Sequence, residues 1–210
     1  MLTSRPPAAA HLTDSTVSLP KLISTSQTIK ARLLHYFPPS PENPLPADDE
    51  PIDSWCGFHK DHGLITGLCS AMFLDKSVSV TEPAIVPSPS PSSGLYIRTR
   101  GGDLAQVKIP ADCLAFQTGE ALELATAGRL RATPHAVRVG AAPGAENVSR
   151  ETFGAYPSHI LTSQQCTHIA LCFVALFMQP NTDQMVSATE TFGQFSKRIF
   201  DEHYGEDVHM

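Results

Sequence analysis

The sequence contains no block of clustered lysine and arginine residues. Its 15 Lys and Arg residues are scattered among 21 Asp and Glu residues, and the formal net charge at pH 7 is −6. A surface that binds the phosphates of nucleic acid needs clustered positive charge. Nucleic acid is therefore excluded as an expected partner.

Long apolar runs are also missing. No stretch of 18 apolar residues could form a membrane helix, and the N-terminal MLTSRPPAAAHLT lacks the apolar middle of a signal peptide. The five cysteines are odd in number and show no Cys-x-x-Cys spacing, which favours reduced thiols over disulfides or a cysteine-type zinc site. We expect a cytoplasmic protein without membrane contact.

Proline is abundant and separates the chain into segments. Ten of the 18 prolines lie in two clusters, at 37–51 and 82–93, which we predict to be extended surface connections. Short apolar or alternating runs, which predict strands, lie at 31–37, 64–74, 94–100, 104–110, 114–126 and 132–139. Many short strands indicate an antiparallel sandwich or barrel.

Two local signals are sharper than the rest. GLYIRTR and LAQVKIP flank Gly101, Gly102 and Asp103, and this spacing predicts a hairpin because glycine tolerates the positive φ of a tight turn. Near the C-terminus, Thr191 is placed to cap a helix over FGQFSKRIFDEHY. Its apolar stripe, consisting of Phe192, Phe195, Ile199 and Phe200, is expected to pack on the sheet.

One short segment carries candidate metal ligands. In GFHKDHGLIT, residues 57–66, His59 and Asp61 are two positions apart, so on a strand they face the same side. His135 in RATPHAVR offers a third ligand. Two imidazoles and one carboxylate leave three positions of an ion open, as in non-haem iron(II) oxygenases. The spacing of His59 and Asp61 alone is weak and equally fits ordinary surface or core residues.

The ordered set HKDHGLITGL, LAFQTGEAL, RATPHAVR and SRETF resembles the iron(II)- and 2-oxoglutarate-dependent oxygenases of the isopenicillin N synthase-like group. The resemblance implies a mainly β fold with flanking helices, built on a double-stranded β-helix, a jelly-roll barrel. It implies that His59, Asp61 and His135 bind iron(II) and form the catalytic centre. It further implies that Arg150 and Thr152 bind the cosubstrate 2-oxoglutarate, and that O2 takes the remaining site.

The role implied for Arg150 has a physical basis. A dicarboxylate that chelates iron at its keto acid end leaves a second carboxylate that is costly to desolvate unless a cation meets it. The planar fork of arginine donates two parallel hydrogen bonds, and Thr152 on the same strand face can donate a third. Arg138 is a competing anchor, but it lies three residues beyond His135 and is expected on the opposite face.

Other positions depart from the family pattern or have open roles. In LLHYFPPSP, His35 and Phe37 stand where the family has an asparagine and a tyrosine, and Tyr36 is expected on the other face of the strand. His62 is expected to be a neighbouring or surface residue. Trp55 and Phe58 either line a substrate pocket or close the barrel mouth.

Two larger departures concern length. The segment before His59 is shorter than the helix-rich N-terminal part usual in the family, so the barrel is expected to be N-terminally shortened. After SRETF, the residues 154–174 separate ALFMQP from the strand that it would continue in the family. We interpret these 21 residues as an insertion, and as a hypothesis attribute it to a retained intron.

The expected domains are an irregular segment at 1–27, the oxygenase domain at 28–180 and a C-terminal helix at 181–210 that packs on the barrel. The expected function is the oxidation of a small organic substrate by hydroxylation or desaturation, with decarboxylation of 2-oxoglutarate to succinate. Three alternatives stay open: an inactive relic of such an enzyme, an oxidase that needs no 2-oxoglutarate, and a cupin-type barrel that binds another metal. The sequence does not indicate an oligomeric state.

Overall fold

The computed structural model describes residues 19–40, 55–77, 79, 81, 83–152 and 175–204. The insertion expected at 154–174 therefore lies outside the described residues. So do residues 1–18 of the N-terminal segment and residues 41–54 of the first proline-rich connection.

The described residues form a mostly β structure with few helices, which confirms the coarse fold class. The helices are α1 (Leu19–Thr25), α2 (Glu120–Ala125) and α3 (Phe192–Tyr204), with one 3-10 turn at Ala145–Asn147. The twelve strands in this part of the chain are β1 (Lys30–Arg32), β2 (His35–Tyr36), β3 (Cys56–His59), β4 (Ile65–Cys69), β5 (Met72–Asp75), β6 (Ala84–Val86), β7 (Gly94–Arg98), β8 (Leu104–Val107), β9 (Leu114–Thr118), β10 (His135–Arg138), β11 (Val148–Glu151) and β12 (Ala175–Met178).

These strands pair in three antiparallel sheets of four strands each, counted over the described ranges. The sheet orders are β1-β12-β4-β9, β3-β10-β7-β8 and β2-β11-β5-β6. The apolar run 64–74 contributes to two of them, because the chain leaves the ladder at Ser70 and Ala71 between β4 and β5. The chain thus passes directly from the sheet that contains β4 into the sheet that contains β5.

The predicted hairpin is confirmed. Strands β7 and β8 pair from Leu95 opposite Val107 to Arg98 opposite Leu104. Gly102 in the turn has a φ of +93°, a conformation that is open to glycine and strained for other residues.

One sequence expectation needs correction. The segment 114–126 is a strand only as far as Thr118, and α2 follows directly after Gly119. A β-carbon at Gly119 would collide with the carbonyl oxygens of Gly63 and Asp61, so the chain turns sharply there against the start of β4. The proline-rich segment 82–93, expected to be an extended surface connection, contains the short and largely exposed strand β6.

The three helices share one hydrophobic cluster. Its buried members are Leu22, Leu64, Ala121, Leu122, Ala125, Val186, Phe192 and Phe195. The stripe of α3 thus packs on α1, α2 and the residue before β4, while Phe200 is 60% exposed and takes no part.

Helix α3 begins with a capping box. The Thr191 hydroxyl accepts a hydrogen bond from the Gln194 backbone N–H at 3.3 Å, and the Gln194 side chain accepts one from the Thr191 N–H at 2.9 Å. The predicted cap is confirmed. None of the helices in the described ranges is long and apolar enough to cross a membrane.

Candidate metal centre

The pairing of β3 with β10 brings two of the predicted ligands together. His59 ends β3 and lies opposite His135, the first residue of β10, and their ring centres are 4.1 Å apart. Asp61 follows His59 by two residues. One ligand atom from each of these three side chains lies within 4.8 Å of the other two. The structure therefore places the three residues in one cluster, although His135 is far from the other two along the sequence.

The two oxygens of Asp61 have different surroundings. Oδ2 accepts hydrogen bonds from Thr66 Oγ1 at 2.5 Å and from Gln117 Nε2 at 2.7 Å. Oδ1 lies 3.9 Å from Nε2 of His59 and 3.9 Å from Nε2 of His135. One oxygen is thus held by the protein while the other faces the two imidazoles.

Backbone carbonyls orient both imidazole rings. Nδ1 of His59 lies 2.8 Å from the Gly57 carbonyl oxygen, and Nδ1 of His135 lies 3.1 Å from the Thr133 carbonyl oxygen. A carbonyl only accepts, so each Nδ1 donates and each neutral ring keeps its lone pair on Nε2. Two Nε2 lone pairs and a carboxylate oxygen then converge, and three acceptors at one point fit a bound cation.

The histidines titrate differently in the metal-free protein. Hydrogen bonding to Cys56 is the largest cause that raises the pKa of His59, to about 9, and the contact with the Gly57 carbonyl adds to it against the opposing effect of burial. Burial lowers the pKa of His135, although the charge of Asp61 opposes this. Without an ion, the cluster therefore holds a proton on His59, which a metal has to displace.

The cluster lies at the wall of a cavity and is open on one side. The side chain of His59 is 44% exposed, whereas those of Asp61 and His135 are 8% exposed. The same cavity is lined by Arg150 and Thr152. All five predicted site residues thus border one cavity; their roles as ligands and anchors stay predictions.

Arg150 is a buried cation in the middle of β11. It is 7% exposed, it has no ion pair among the described residues, and its Nε has no hydrogen-bond partner there. Burial lowers the pKa of Arg150, yet a guanidinium stays protonated in proteins. A buried positive charge without a carboxylate partner is costly, so this end of the cavity favours an anionic group.

Tyr36 contradicts the expectation made for it. It was assigned to the opposite face of its strand, but it lines the cavity with His59 and Arg150. The reason is the register: Tyr36 lies directly opposite Arg150, and directly paired residues share a face of a sheet. His35 instead contacts Glu151 outside this cavity, with Nδ1 2.6 Å from Oε1, and Phe37 is 73% exposed.

The hydroxyl of Thr152 is partly engaged by the backbone. Oγ1 accepts a hydrogen bond from the Leu34 N–H at 3.1 Å, and it donates a longer one, with Oγ1 3.5 Å from the Leu34 carbonyl oxygen. The Thr152 N–H also donates to that carbonyl at 3.0 Å. Thr152 therefore joins β11 to the strand beside it as well as lining the cavity.

The remaining candidates lie away from the cluster. His62 is bonded to Glu120, with Nδ1 2.8 Å from Oε2. Arg138 is buried on β10 but does not line this cavity. The Trp55 indole donates to the Phe37 carbonyl, and the Arg98 guanidinium lies over the ring of Phe58. Neither aromatic residue lines the cavity.

Sequence reasoning missed two residues that hold Asp61. Thr66 and Gln117 face each other across β4 and β9, and both are buried. The amide of Gln117 also lies 3.1 Å from the His135 ring nitrogens, so it contacts two of the three cluster residues. The available signal was a polar side chain in an otherwise apolar strand, which calls for a buried partner.

Comparisons with known proteins identify a similar fold. No family model and no curated protein matches the sequence. A provisionally named oxygenase from Shewanella oneidensis has a similar structure, with a TM-score of 0.56 and 18% identity over 90% of this chain and 52% of that chain. This chain thus spans about half the length of the Shewanella protein. The likeness shows that the two proteins share a fold, while the double-stranded β-helix itself stays a prediction.

Weaker matches add no argument, because their TM-scores are below 0.5. The dioxygenase for auxin oxidation in rice matches with a TM-score of 0.47 and 14% identity, over 84% of this chain and 47% of that one. A full-length protein from Neurospora crassa, solved in complex with alpha-KG, matches with a TM-score of 0.41 and 20% identity, over 74% of this chain and 37% of that one.

Proposed function

We propose that this protein is an iron(II)- and 2-oxoglutarate-dependent dioxygenase built on a double-stranded β-helix. The observation that carries the proposal is the shared cavity, with a cluster of three acceptor atoms on one wall and the buried guanidinium of Arg150 on another. The fold likeness to the Shewanella protein supports it. The substrate is proposed to be a small organic molecule.

His59, Asp61 and His135 would hold the metal. Two imidazole nitrogens and one carboxylate oxygen leave three positions open on one face of an octahedral ion, which suits iron(II). The 3.9 Å contacts of Asp61 Oδ1 with the two Nε2 atoms would shorten if all three atoms bound one ion. When bound, iron(II) with 2-oxoglutarate and O2 supplies the oxidation of the substrate, by hydroxylation or desaturation, with release of succinate and CO2.

The protein's part in this chemistry is to orient and to anchor. Thr66 and Gln117 hold Oδ2 of Asp61, so that Oδ1 is presented to the ion as a single ligand atom. Arg150 binds the far carboxylate of 2-oxoglutarate. Each charge-assisted hydrogen bond that it donates contributes about 1.5–3 kcal/mol.

The test is anaerobic titration of the iron(II)-loaded protein with 2-oxoglutarate, followed by succinate measurement after air is admitted with a panel of small organic substrates. We expect 2-oxoglutarate to bind at one equivalent and only when iron(II) is present. Asp61→Ala should abolish this binding. Asp75→Ala, at a carboxylate on β5 that is outside the cluster, is the matched control and should leave it unchanged.

The other outcomes identify the alternatives. A protein that binds neither iron(II) nor 2-oxoglutarate is an inactive relic. Binding of a metal without 2-oxoglutarate, and without oxidation of any substrate, indicates a metal-binding barrel of the cupin type. Oxidation that proceeds without 2-oxoglutarate and without succinate indicates an oxidase. Each of these results contradicts the proposed function.

A further inference from the structure

The strands on either side of residues 153–174 pair with one neighbouring segment of chain, 30–36. Strand β2 pairs with β11, where His35 lies opposite Glu151. Strand β1 pairs with β12, where Arg32 lies opposite Ala175. Arg32 is only three positions before His35, whereas Ala175 is far beyond Glu151 in the sequence. The chain between Glu151 and Ala175 is therefore much longer than the ladder can match.

The pairing shows where the extra residues between Glu151 and Ala175 begin and end. The Thr152 N–H donates to the Leu34 carbonyl at 3.0 Å, which continues the register of β2 and β11 by one pair. Only Leu33 then stands between this pair and the pair of Arg32 with Ala175. Two strand steps, from the position opposite Leu34 to the position opposite Arg32, span about 7 Å. Only one residue of the partner strand fits between them, opposite Leu33. The next residue in the sequence after Thr152 is Phe153, so Phe153 would fill the position opposite Leu33. Residues 154–174 then have no position in the ladder.

The alternation of side chains gives an independent line of support. Arg150 and Thr152 line the cavity, and so do Ala175 and Phe177, whereas Leu176 between the last two is 38% exposed. If Phe153 is followed directly by Ala175, every second residue from 150 to 177 faces the cavity, as in one regular strand. Removal of an even number of residues would reverse the faces beyond the junction.

The strands β4 and β5, on the other side of β12 and β11, give the same spacing to within one residue. Strand β11 also pairs with β5, where Glu151 lies opposite Met72, and β12 pairs with β4, where Leu176 lies opposite Gly67. Met72 and Gly67 are five positions apart, and Glu151 and Leu176 are four positions apart once 154–174 are left out. The one extra residue coincides with the break at Ser70 and Ala71, as a β-bulge requires.

We propose that residues 154–174 interrupt a single strand running from Val148 to Met178. The competent form of this protein, meaning the form with the unbroken strand, is the chain in which Phe153 is followed directly by Ala175. The claim about the strand is independent of the proposed function. Its consequence for 2-oxoglutarate, namely tighter binding because Arg150 and Thr152 then lie in an unbroken ladder, rests on that function.

The first test compares the full chain with three deletion variants. Deletion of 154–174 matches the register, deletion of 155–174 leaves one residue too many, and deletion of 153–174 leaves one too few. Closing so long a connection costs conformational entropy, so the matched deletion should melt roughly 5 °C above the full chain. Both mismatched deletions should melt below the matched one.

The outcomes separate the two claims. If the matched deletion is no more stable than the full chain, or if a mismatched deletion equals it, the single-strand proposal is wrong. If the stability order holds and the matched variant binds 2-oxoglutarate about tenfold or more tightly than the full chain, both claims stand. If the stability order holds but no form binds 2-oxoglutarate with iron(II), the strand proposal survives and the proposed function fails.

The second test looks for the short form in the native source. Trypsin cuts after Arg150 and Lys197, and no lysine or arginine lies between them. The full chain therefore yields the single peptide 151–197, and the short form yields the same peptide without 154–174. Detection of the shorter peptide by mass spectrometry supports the proposal. If only the longer peptide is present, the native protein carries the segment and the claim about the competent form is overturned.

Discussion

Tyr36 lies directly opposite Arg150 in the ladder between β2 and β11, and the Arg150 guanidinium carbon is 5.1 Å from the centre of the tyrosine ring. The charge of Arg150 favours the ionised form of the tyrosine, but burial has the larger effect on its pKa. Burial raises the pKa of Tyr36, so its hydroxyl stays protonated at neutral pH. The tyrosine thereby restricts the orientation of the cation that we propose to bind 2-oxoglutarate.

Replacement of Tyr36 tests this restriction. Tyr36→Phe keeps the ring beside the guanidinium and removes the hydroxyl. Loss of a polar hydroxyl beside the guanidinium, with an effect of about 1 kcal/mol, should raise the Kd for 2-oxoglutarate roughly fivefold, with little change in iron(II) affinity. Titration calorimetry under anaerobic conditions measures both. The matched control is Phe37→Leu at the exposed neighbour, and an equal effect of the two substitutions would contradict a role for Tyr36.

Arg150→Lys tests the anchor itself. Lysine keeps the charge but loses the planar fork, so one charge-assisted hydrogen bond is lost and the KM for 2-oxoglutarate should rise about 10- to 100-fold. Arg138→Lys, at the other buried arginine, is the comparison. If Arg138→Lys impairs 2-oxoglutarate binding and Arg150→Lys does not, the anchor has been assigned to the wrong residue. Melting temperatures show whether either variant is merely unstable.

Thr66→Val tests how Asp61 is oriented. The substitution keeps the shape of the side chain and removes the hydrogen bond to Oδ2, so the carboxylate gains freedom to turn. We expect cobalt(II), used as a stand-in for iron(II), to bind about tenfold more weakly. Thr118→Val, on β9 next to Gln117, is the control. Its hydroxyl donates to the Arg131 carbonyl and does not contact Asp61, so cobalt affinity should be unchanged.

Metal affinity should rise with pH. The pKa of His59 in the metal-free protein is about 9, so below that pH every ion that binds must expel a proton. The apparent affinity for cobalt(II) should therefore increase about tenfold per pH unit, or about 100-fold from pH 6.5 to 8.5. Cys56→Ala removes the largest cause of the raised pKa and should flatten this dependence. A slope that is flat in the unmodified protein would contradict the release of a proton from His59 when the metal binds.

The three-residue cluster could be anticipated from the sequence because part of its arrangement is local, while its role in metal binding stays a prediction. His59 ends β3 and Asp61 follows two residues later, so closeness along the chain keeps the two side chains near each other. His135 required the ordered motifs of the resemblance. The interactions of Thr66 and Gln117 could not be anticipated, because they depend on which residues β4 and β9 place opposite each other.

Register also explains the error at Tyr36. Regular alternation places His35 and Phe37 on one face of the strand and Tyr36 on the other. Which of these two faces points to the cavity is decided by the partner strand. A similar limit applies to the segment 114–126. Its apolar pattern fits a strand or a helix, and the change to α2 is decided by the close approach of Gly119 to Gly63.

The position of β3 has a consequence for how the protein folds. In its sheet β3 is at the edge, with β10 as its neighbour among the described strands, and their pairing closes the long stretch of chain between His59 and His135. Such long-range pairing forms slowly and opens easily. An ion shared by these two histidines would cross-link the edge strand to the sheet, so hydrogen exchange in 56–59 should slow markedly on metal addition, while exchange in the β7–β8 hairpin stays unchanged.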